Sequence, residues 1–133
     1  MLDTNTVSYI ARGRSRAARA RLEALKAPHR ACISVITEGE IRYGLARNPA
    51  AQAMRLLMEE FLAKITVLPW TRQEAMTYGE LRAELRAAGK SLENLDMLIA
   101  AHAISVGAIM VTSDRAFLYV AKLRGTEDWA TDL

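Results

Sequence analysis

Apolar positions recur along the chain with two different periods, and the alternation between them predicts the order of elements. Met54, Leu57, Met58, Phe61 and Leu62 fall at helical spacing, so the stretch from Ala51 to Lys64 reads as an amphipathic helix. "ACISVI", by contrast, is a short β-branched run after Pro28 and predicts a strand over Ala31–Ile36. The same reading gives a helical region from Thr6 to Ala27, broken near Gly13, and a helix from about Thr37 to Ala46 that stops at "NPA". A strand at "ITVLPW" and two helices over Thr71–Ala88 and Leu92–Val106 follow, with "AGKS" between them and Gly107 as a C-cap. "AIMVT" supplies a further strand. The tail from Phe117 to Trp129 predicts a short helix and a last strand near Leu123–Thr126. Strands alternating with helices predict an α/β fold in which a mostly parallel sheet of about five strands is covered on both faces. With 133 residues, one domain spanning 1–133 is expected.

One helix in this order is chemically uneven. "NLDMLIAAHA" (94–103) is rich in alanine, yet carries a carboxylate near its start and an imidazole near its end. At 3.6 residues per turn, Asp96 shares a face with Ile99, Ala100 and Ala103, whereas His102 points elsewhere. Asp96 therefore needs partners from other segments. His102, Trp70 and Trp129 read as packing residues, and His29, beside Pro28, as an exposed loop residue.

Composition narrows the classes. Apolar residues are 51% and charged residues 25% of the chain, values of a globular protein and not of a disordered one. The single cysteine, Cys32, permits no internal disulfide and reads as a small buried hydrophobe. "MLDTNT" lacks the basic and apolar regions of a secretory leader, and the longest apolar stretch is interrupted by His102, Ser105 and Gly107, so a cytoplasmic protein with no membrane segment is expected. The net charge of +3 is unevenly spread: Arg12 to Arg30 holds seven basic residues and one acid, which leaves 11 positive against 14 negative elsewhere. Arg12, Arg16 and Arg19 are thus candidates for contact with RNA phosphates, although a basic helical face is also commonly solvated or met by a protein partner.

In parallel α/β sheets, function collects at the carboxyl ends of strands. Asp3 follows the apolar pair "ML" and Asp114 follows "IMVTS"; Glu40 and Asp96 lie just inside helices. Four acids from four segments repel one another unless a cation compensates, and Mg²⁺ or Mn²⁺, with its preference for oxygen ligands, suits a set without cysteine or histidine. The chemistry expected of such a set is phosphoryl transfer by a metal-activated water. Each acid also has a structural reading. Asp3 with Asn5 makes a turn and N-cap, Asp114 caps the following segment, Asp96 favours a helix N-terminus, and Thr37-x-x-Glu40 has the form of a capping box.

Four stretches in order, "MLDTN", "ISVITEGEIRYG", "LDMLIAAHA" and "VTSD", resemble the motifs of the PIN-domain ribonucleases, especially the VapC toxins of bacterial toxin–antitoxin pairs. The resemblance covers nearly the whole chain. It implies a PIN-like three-layer α/β/α sandwich and Mg²⁺- or Mn²⁺-dependent cleavage of RNA, with tRNA or rRNA among the possible substrates. It also implies a homodimer and inhibition by a cognate VapB-type antitoxin. It places the acids at Asp3, Glu40, Asp96 and Asp114, with Asn5 and Thr112 as supporting polar groups and Tyr43–Gly44 as a recurring pair. The lead-in "SLEN" departs from the pattern and adds Glu93 beside the site. "MRLLMEEFL" offers Met54, Leu57, Met58 and Phe61 as anchors for an antitoxin helix.

Two other functions fit part of the pattern. A haloacid-dehalogenase-type phosphatase also begins with an Asp after the first strand, but needs a second Asp two residues on, where this chain has Asn5. A non-catalytic PIN-fold module that binds RNA or protein would retain the fold without needing all four acids.

Overall fold

The computed structural model describes Met1–Leu133. Its elements are α1 (Thr4–Ala11), α2 (Arg16–Glu23), β1 (Cys32–Ser34), α3 (Val35–Arg47), α4 (Gln52–Lys64), β2 (Thr66–Leu68), α5 (Arg72–Ala87), α6 (Asn94–Val106), β3 (Met110–Val111), a 3₁₀ turn (Arg115–Tyr119) and β4 (Thr126–Glu127). β1 pairs with β2 in parallel, Cys32 opposite Thr66, and β3 pairs with β4 in parallel, Met110 opposite Thr126. The first residues of the chain join the two pairs. Leu2 N–H donates to Cys32 O at 2.9 Å, while Asp3 N–H donates to Val111 O at 3.0 Å and Val111 N–H to Met1 O at 2.8 Å. Leu2 and Val111 form a parallel bridge. Four short strands and one bridging segment thus stand where about five strands were expected, all parallel.

Because successive strand residues point to opposite faces, these segments supply both halves of the core. Met1 and Met110, with Cys32 and Leu68 packed against them, join Leu81, Leu85, Ile99 and Phe117 on the α5–α6 side. Leu2, Ile33 and Val111, with Val67, join Val7, Ile10, Ile41, Leu45, Met58 and Trp129 on the side of α1 to α4. Helices therefore cover both faces. Ala100, Ala101 and Ala103 are fully buried, and their small side chains let α6 lie close to its neighbours. No helix is long and apolar enough to cross a membrane.

Several boundaries differ from expectation. The helical region predicted to reach Ala27 ends at Glu23, and Gly13, at φ +67°, lies in the break between α1 and α2. The strand predicted over Ala31–Ile36 stops at Ser34, whose Oγ accepts Ile36 N–H at 3.1 Å and so caps α3. Thr37 is then interior to the helix and buried, its hydroxyl without a partner, so the predicted Thr37–Glu40 capping box does not form. In the tail, the short helix is the 3₁₀ turn and the strand pairs at Thr126–Glu127, just beyond the predicted span. Gly107 caps α6 at φ +67°, as expected.

The capping box that does form is at α5. Thr71 Oγ1 accepts Gln73 N–H at 3.2 Å, and Glu74 Oε2 returns to accept Thr71 N–H at 2.7 Å as well as the Thr71 hydroxyl. Glu74 Oε1 also accepts Ser105 Oγ–H of α6 at 2.8 Å. The Thr71 hydroxyl, aided by Ser105, holds the Glu74 carboxyl down to about 2 against the opposing effect of burial. A carboxylate depressed in the folded state stabilises fully above its unfolded value of 4.5, and that contribution is lost as pH falls from there through about 2. Urea titrations should show this acid-dependent loss in the wild type and not in Glu74→Gln. Glu74→Ala, which removes the cap and strands Ser105, should cost about 2 kcal/mol at pH 7.

Candidate active site

With every strand parallel, the carboxyl ends of the Met1–Asp3 segment, β1 and β3 open on one edge of the sheet, and the predicted acids approach that edge from different elements. Asp3 is 4% exposed. Its Oδ1 accepts Thr6 N–H at 2.7 Å, capping α1, and its Oδ2 accepts the Thr112 hydroxyl. Thr112 Oγ1 in turn accepts Asp114 N–H at 3.0 Å, so one hydroxyl ties the end of β3 to the start of the chain. Asp114 Oδ1 caps the 3₁₀ turn by accepting Ala116 N–H at 2.8 Å. Glu40, one turn into α3, accepts Thr4 Oγ1–H at 2.6 Å and so leans towards α1 instead of back on its own helix.

Asp96 is the group that registers their convergence. It lies half-buried in the first turn of α6, where a helix dipole alone would favour its charged form. Its carboxyl is nonetheless pushed up to about 6, first by burial and then by the negative charges of Glu40, Asp114, Asp3 and Glu93. The structure thus brings all four predicted acids within electrostatic reach of one another, and Glu93, the N-cap residue of α6, with them. No three of these side chains enclose a cation unaided. That matches the demands of Mg²⁺, which takes one or two carboxylates and keeps several waters. A set of crowded carboxylates in which one is held partly protonated is chemically fitted to a hard dication.

The supporting residues divide. Thr112 is buried and bonded to Asp3, whereas Asn5 is exposed and its amide makes no hydrogen bond, so the expected supporting role has no contact behind it. Thr4 takes that place, through Glu40. A hydroxyl next to Asp3 was visible in the sequence, but only the fold shows that it reaches α3, 36 residues on. The basic patch also divides. Arg19 Nη2 folds back to donate to Ile10 O at 2.8 Å, Arg16 is exposed at the start of α2, and Arg12, at the end of α1, lines a cleft shared with Glu40. His102, expected only to pack, is fully buried, with Nδ1 2.7 Å from Ser34 Oγ and its ring edge-on to Trp70. This contact joins α6, which carries Asp96, to the cap of α3, which carries Glu40.

Fold and acids together define a chain of the PIN class, and comparison with known proteins agrees. The family model described as PIN domain matches residues 1–123. The chain is 35% identical to "Ribonuclease VapC2" of Haemophilus influenzae, covering 97% of this chain and 96% of that protein. It is 34% identical to "tRNA(fMet)-specific endonuclease VapC" of Shigella flexneri, covering 98% and 97%. Among solved structures, VapBC2 from Rickettsia felis bound to a DNA fragment from its promoter superposes with a TM-score of 0.90 at 30% identity, over 97% of both chains. The chain belongs to the PIN-domain family, within its VapC ribonucleases.

The electrostatics of Asp96 make a stability prediction. An acid whose folded value is raised above 3.8 stabilises most below that pH, and its contribution is lost as pH rises from 3.8 through about 6. In EDTA, Asp96→Asn should therefore flatten this fall. It should leave the folded protein more stable than wild type at pH 8 by about 1 kcal/mol, after allowance for solvent screening of a half-buried group. Urea denaturation at pH 5 and pH 8 reads the difference.

Proposed function

We propose that the protein is a Mg²⁺- or Mn²⁺-dependent endoribonuclease that acts as the toxin of a VapBC-type pair in the cytoplasm. In this reading Asp3, Glu40, Asp96 and Asp114 form the metal-binding and catalytic set. The observation that carries the reading is the raised Asp96 carboxyl, which reports four segments converging on one charge centre. The relatives' names support RNA as substrate, with tRNA as the first candidate.

When bound, the metal would supply positive charge to the phosphate oxygens and an acidified water as nucleophile. The chain's own groups set the stage for it. Thr6 N–H and the Thr112 hydroxyl fix both oxygens of Asp3, and Thr4 fixes one oxygen of Glu40, so neither carboxylate must be ordered at the moment of reaction. Asp96 lacks such a bond and carries the electrostatic cost of the cluster, which a cation relieves. Asp114 keeps one oxygen on the cap of the 3₁₀ turn and has the other for water or metal.

The partner is inferred to be a VapB-type antitoxin, because the matching VapBC structures are complexes of that kind. A cavity of about 570 Å³ between α1, α2 and α4, lined by Ile10, Leu22, Leu57, Phe61 and Ile65, offers an apolar seat. Of the anchors expected on α4, Leu57 and Phe61 face it, whereas Met58 is core. A homodimer is inferred on the resemblance alone.

Cleavage of total cellular RNA tests the activity. Wild type should cut in Mg²⁺ and stop in EDTA, and folded Asp3→Asn or Asp96→Asn should lose at least about a hundredfold in rate, as expected when a group stabilising the transition state is removed. Wild-type turnover by either variant in metal would sink the assignment, and metal-independent binding without cleavage would favour the non-catalytic module. Glu40→Gln is a finer probe, because Gln still accepts from Thr4 and keeps side-chain size. Its melting temperature should stay near wild type, while cleavage at limiting Mg²⁺ falls and partly recovers in excess Mn²⁺. Undiminished cleavage would leave Glu40 as a tether for Thr4 only.

A further inference from the structure

A second cleft, of about 240 Å³, opens directly from the carboxylate edge between α1, α3 and the start of α4. One end is formed by Thr4 and Glu40, the bonded pair of the proposed active site; the other holds Arg12, Arg47 and Asn48, with Ser8 between. The cleft changes sign along its length. Glu40 is its single acid, and two guanidiniums lie beyond it. Both arginines are exposed, and neither takes part in the molecule's ion pairs, which engage Arg21, Arg42, Lys64 and Lys122. Arg47 is propped instead on Tyr43, its guanidinium carbon 5.7 Å from the ring centroid, and Tyr43 is 65% exposed.

Unpaired guanidiniums at the far end of a cleft that begins at a metal-type carboxylate are arranged for a polyanion whose reacting phosphate lies at the acids. We propose that this cleft seats a phosphodiester of single-stranded RNA adjacent to the scissile one, held by Arg12 and Arg47. The proposal rests on the nuclease reading above and names the part of the substrate that this side of the site takes. Three features favour it. The planar guanidinium fork matches phosphate oxygens, two forks on one cleft fix the direction of a strand, and a space of this size admits a single backbone and not a duplex. α1 sets the distance: eight residues, about 12 Å of helix, separate its capping Asp3 from Arg12. The rival account is that both arginines merely offset the dipoles of α1 and α3, at whose C-terminal ends they sit.

The test is the binding of a fluorescein-labelled, single-stranded RNA to the full chain in EDTA over a range of salt, with cleavage of the same RNA in Mg²⁺ or Mn²⁺ followed in parallel. Arg12→Gln with Arg47→Gln should weaken binding about tenfold at 0.1 M salt, the loss of one charge-assisted contact. The slope of log affinity against log salt should flatten by about 0.7, one phosphate's worth for a single strand. Arg72→Gln with Arg86→Gln, on the exposed surface of α5 and outside the cleft, should leave the slope unchanged. Equal flattening in both doubles would reduce the effect to net charge and overturn the proposal, as would unchanged affinity in the first. Loss of binding to a VapB-type antitoxin with RNA affinity intact would give the cleft to a protein instead. If the Gln double proves unfolded by circular dichroism, Arg12→Lys with Arg47→Lys decides. It should keep the slope yet bind more weakly for want of the fork, and wild-type affinity there also overturns the proposal. Wild type that binds through these arginines but never cleaves would sink the nuclease reading alone. Wild type that cleaves while binding ignores the arginines would sink the cleft alone.

Discussion

The placement of Met1–Asp3 between β1 and β3 is the constraint on which the rest of the molecule depends. Two strand pairs, each too short to stand alone, become one parallel surface because Leu2 donates to Cys32 on one side and Asp3 and Val111 bond across the other. The alternation of that segment then decides both cores: Met1 goes to the α5–α6 side and Leu2 to the α1–α4 side. The next residue is Asp3. A carboxylate that ends this central segment cannot avoid the sheet's functional edge, so fold and chemistry share a single register. Shifting the register by one residue would exchange the two cores and turn the acid away from Thr112.

Gathering acids at such an edge has a cost, which the structure distributes unequally. Asp3, Glu40 and Asp114 each accept a hydrogen bond from a neighbouring hydroxyl or amide, which favours their charged forms. Asp96 has none and is raised instead. The structural and functional readings of these residues are therefore not rivals. Asp3 and Asp114 do cap the turns that follow them, because the carboxyl end of a parallel strand is also where the next helix begins; the same oxygen that satisfies an orphan amide is aimed, by that bond, along the edge.

This also explains what could be read in the sequence and what could not. The helix over 52–64 and the Gly107 cap were legible because their signals are local: spacing in the one, left-handed backbone in the other. The four acids were legible as a set because each sits at the end of an apolar run. The start of α3 was not. "SVITEGE" holds two hydroxyls able to cap, and the local box pattern favours Thr37; Ser34 wins because β1 ends there in register with Leu68 and because its hydroxyl also meets the buried His102 of α6. Both reasons come from residues more than 30 positions away. β4 is two residues long and exists only through its pairing with β3, so its position had no local signature.

The basic stretch after α1 shows the same division between composition and geometry. Seven positive charges in sequence look like one patch, but the break at Gly13 turns α2 away from α1, and each arginine meets a different environment. Arg19 is spent on the Ile10 carbonyl, and Arg21 lies over Trp129 and pairs with Glu127 at 2.7 Å. Asp132 holds the start of α2 through Ser15 Oγ–H and the amides of Arg16 and Ala17, which draws its own carboxyl down. These contacts make α2 a clamped structural element. Arg12 alone is left on the side of Glu40, and its partner in the cleft, Arg47, comes from outside the patch altogether. Charge density along a chain therefore does not locate a phosphate site; what locates one is which guanidiniums the fold leaves unpaired beside the acids.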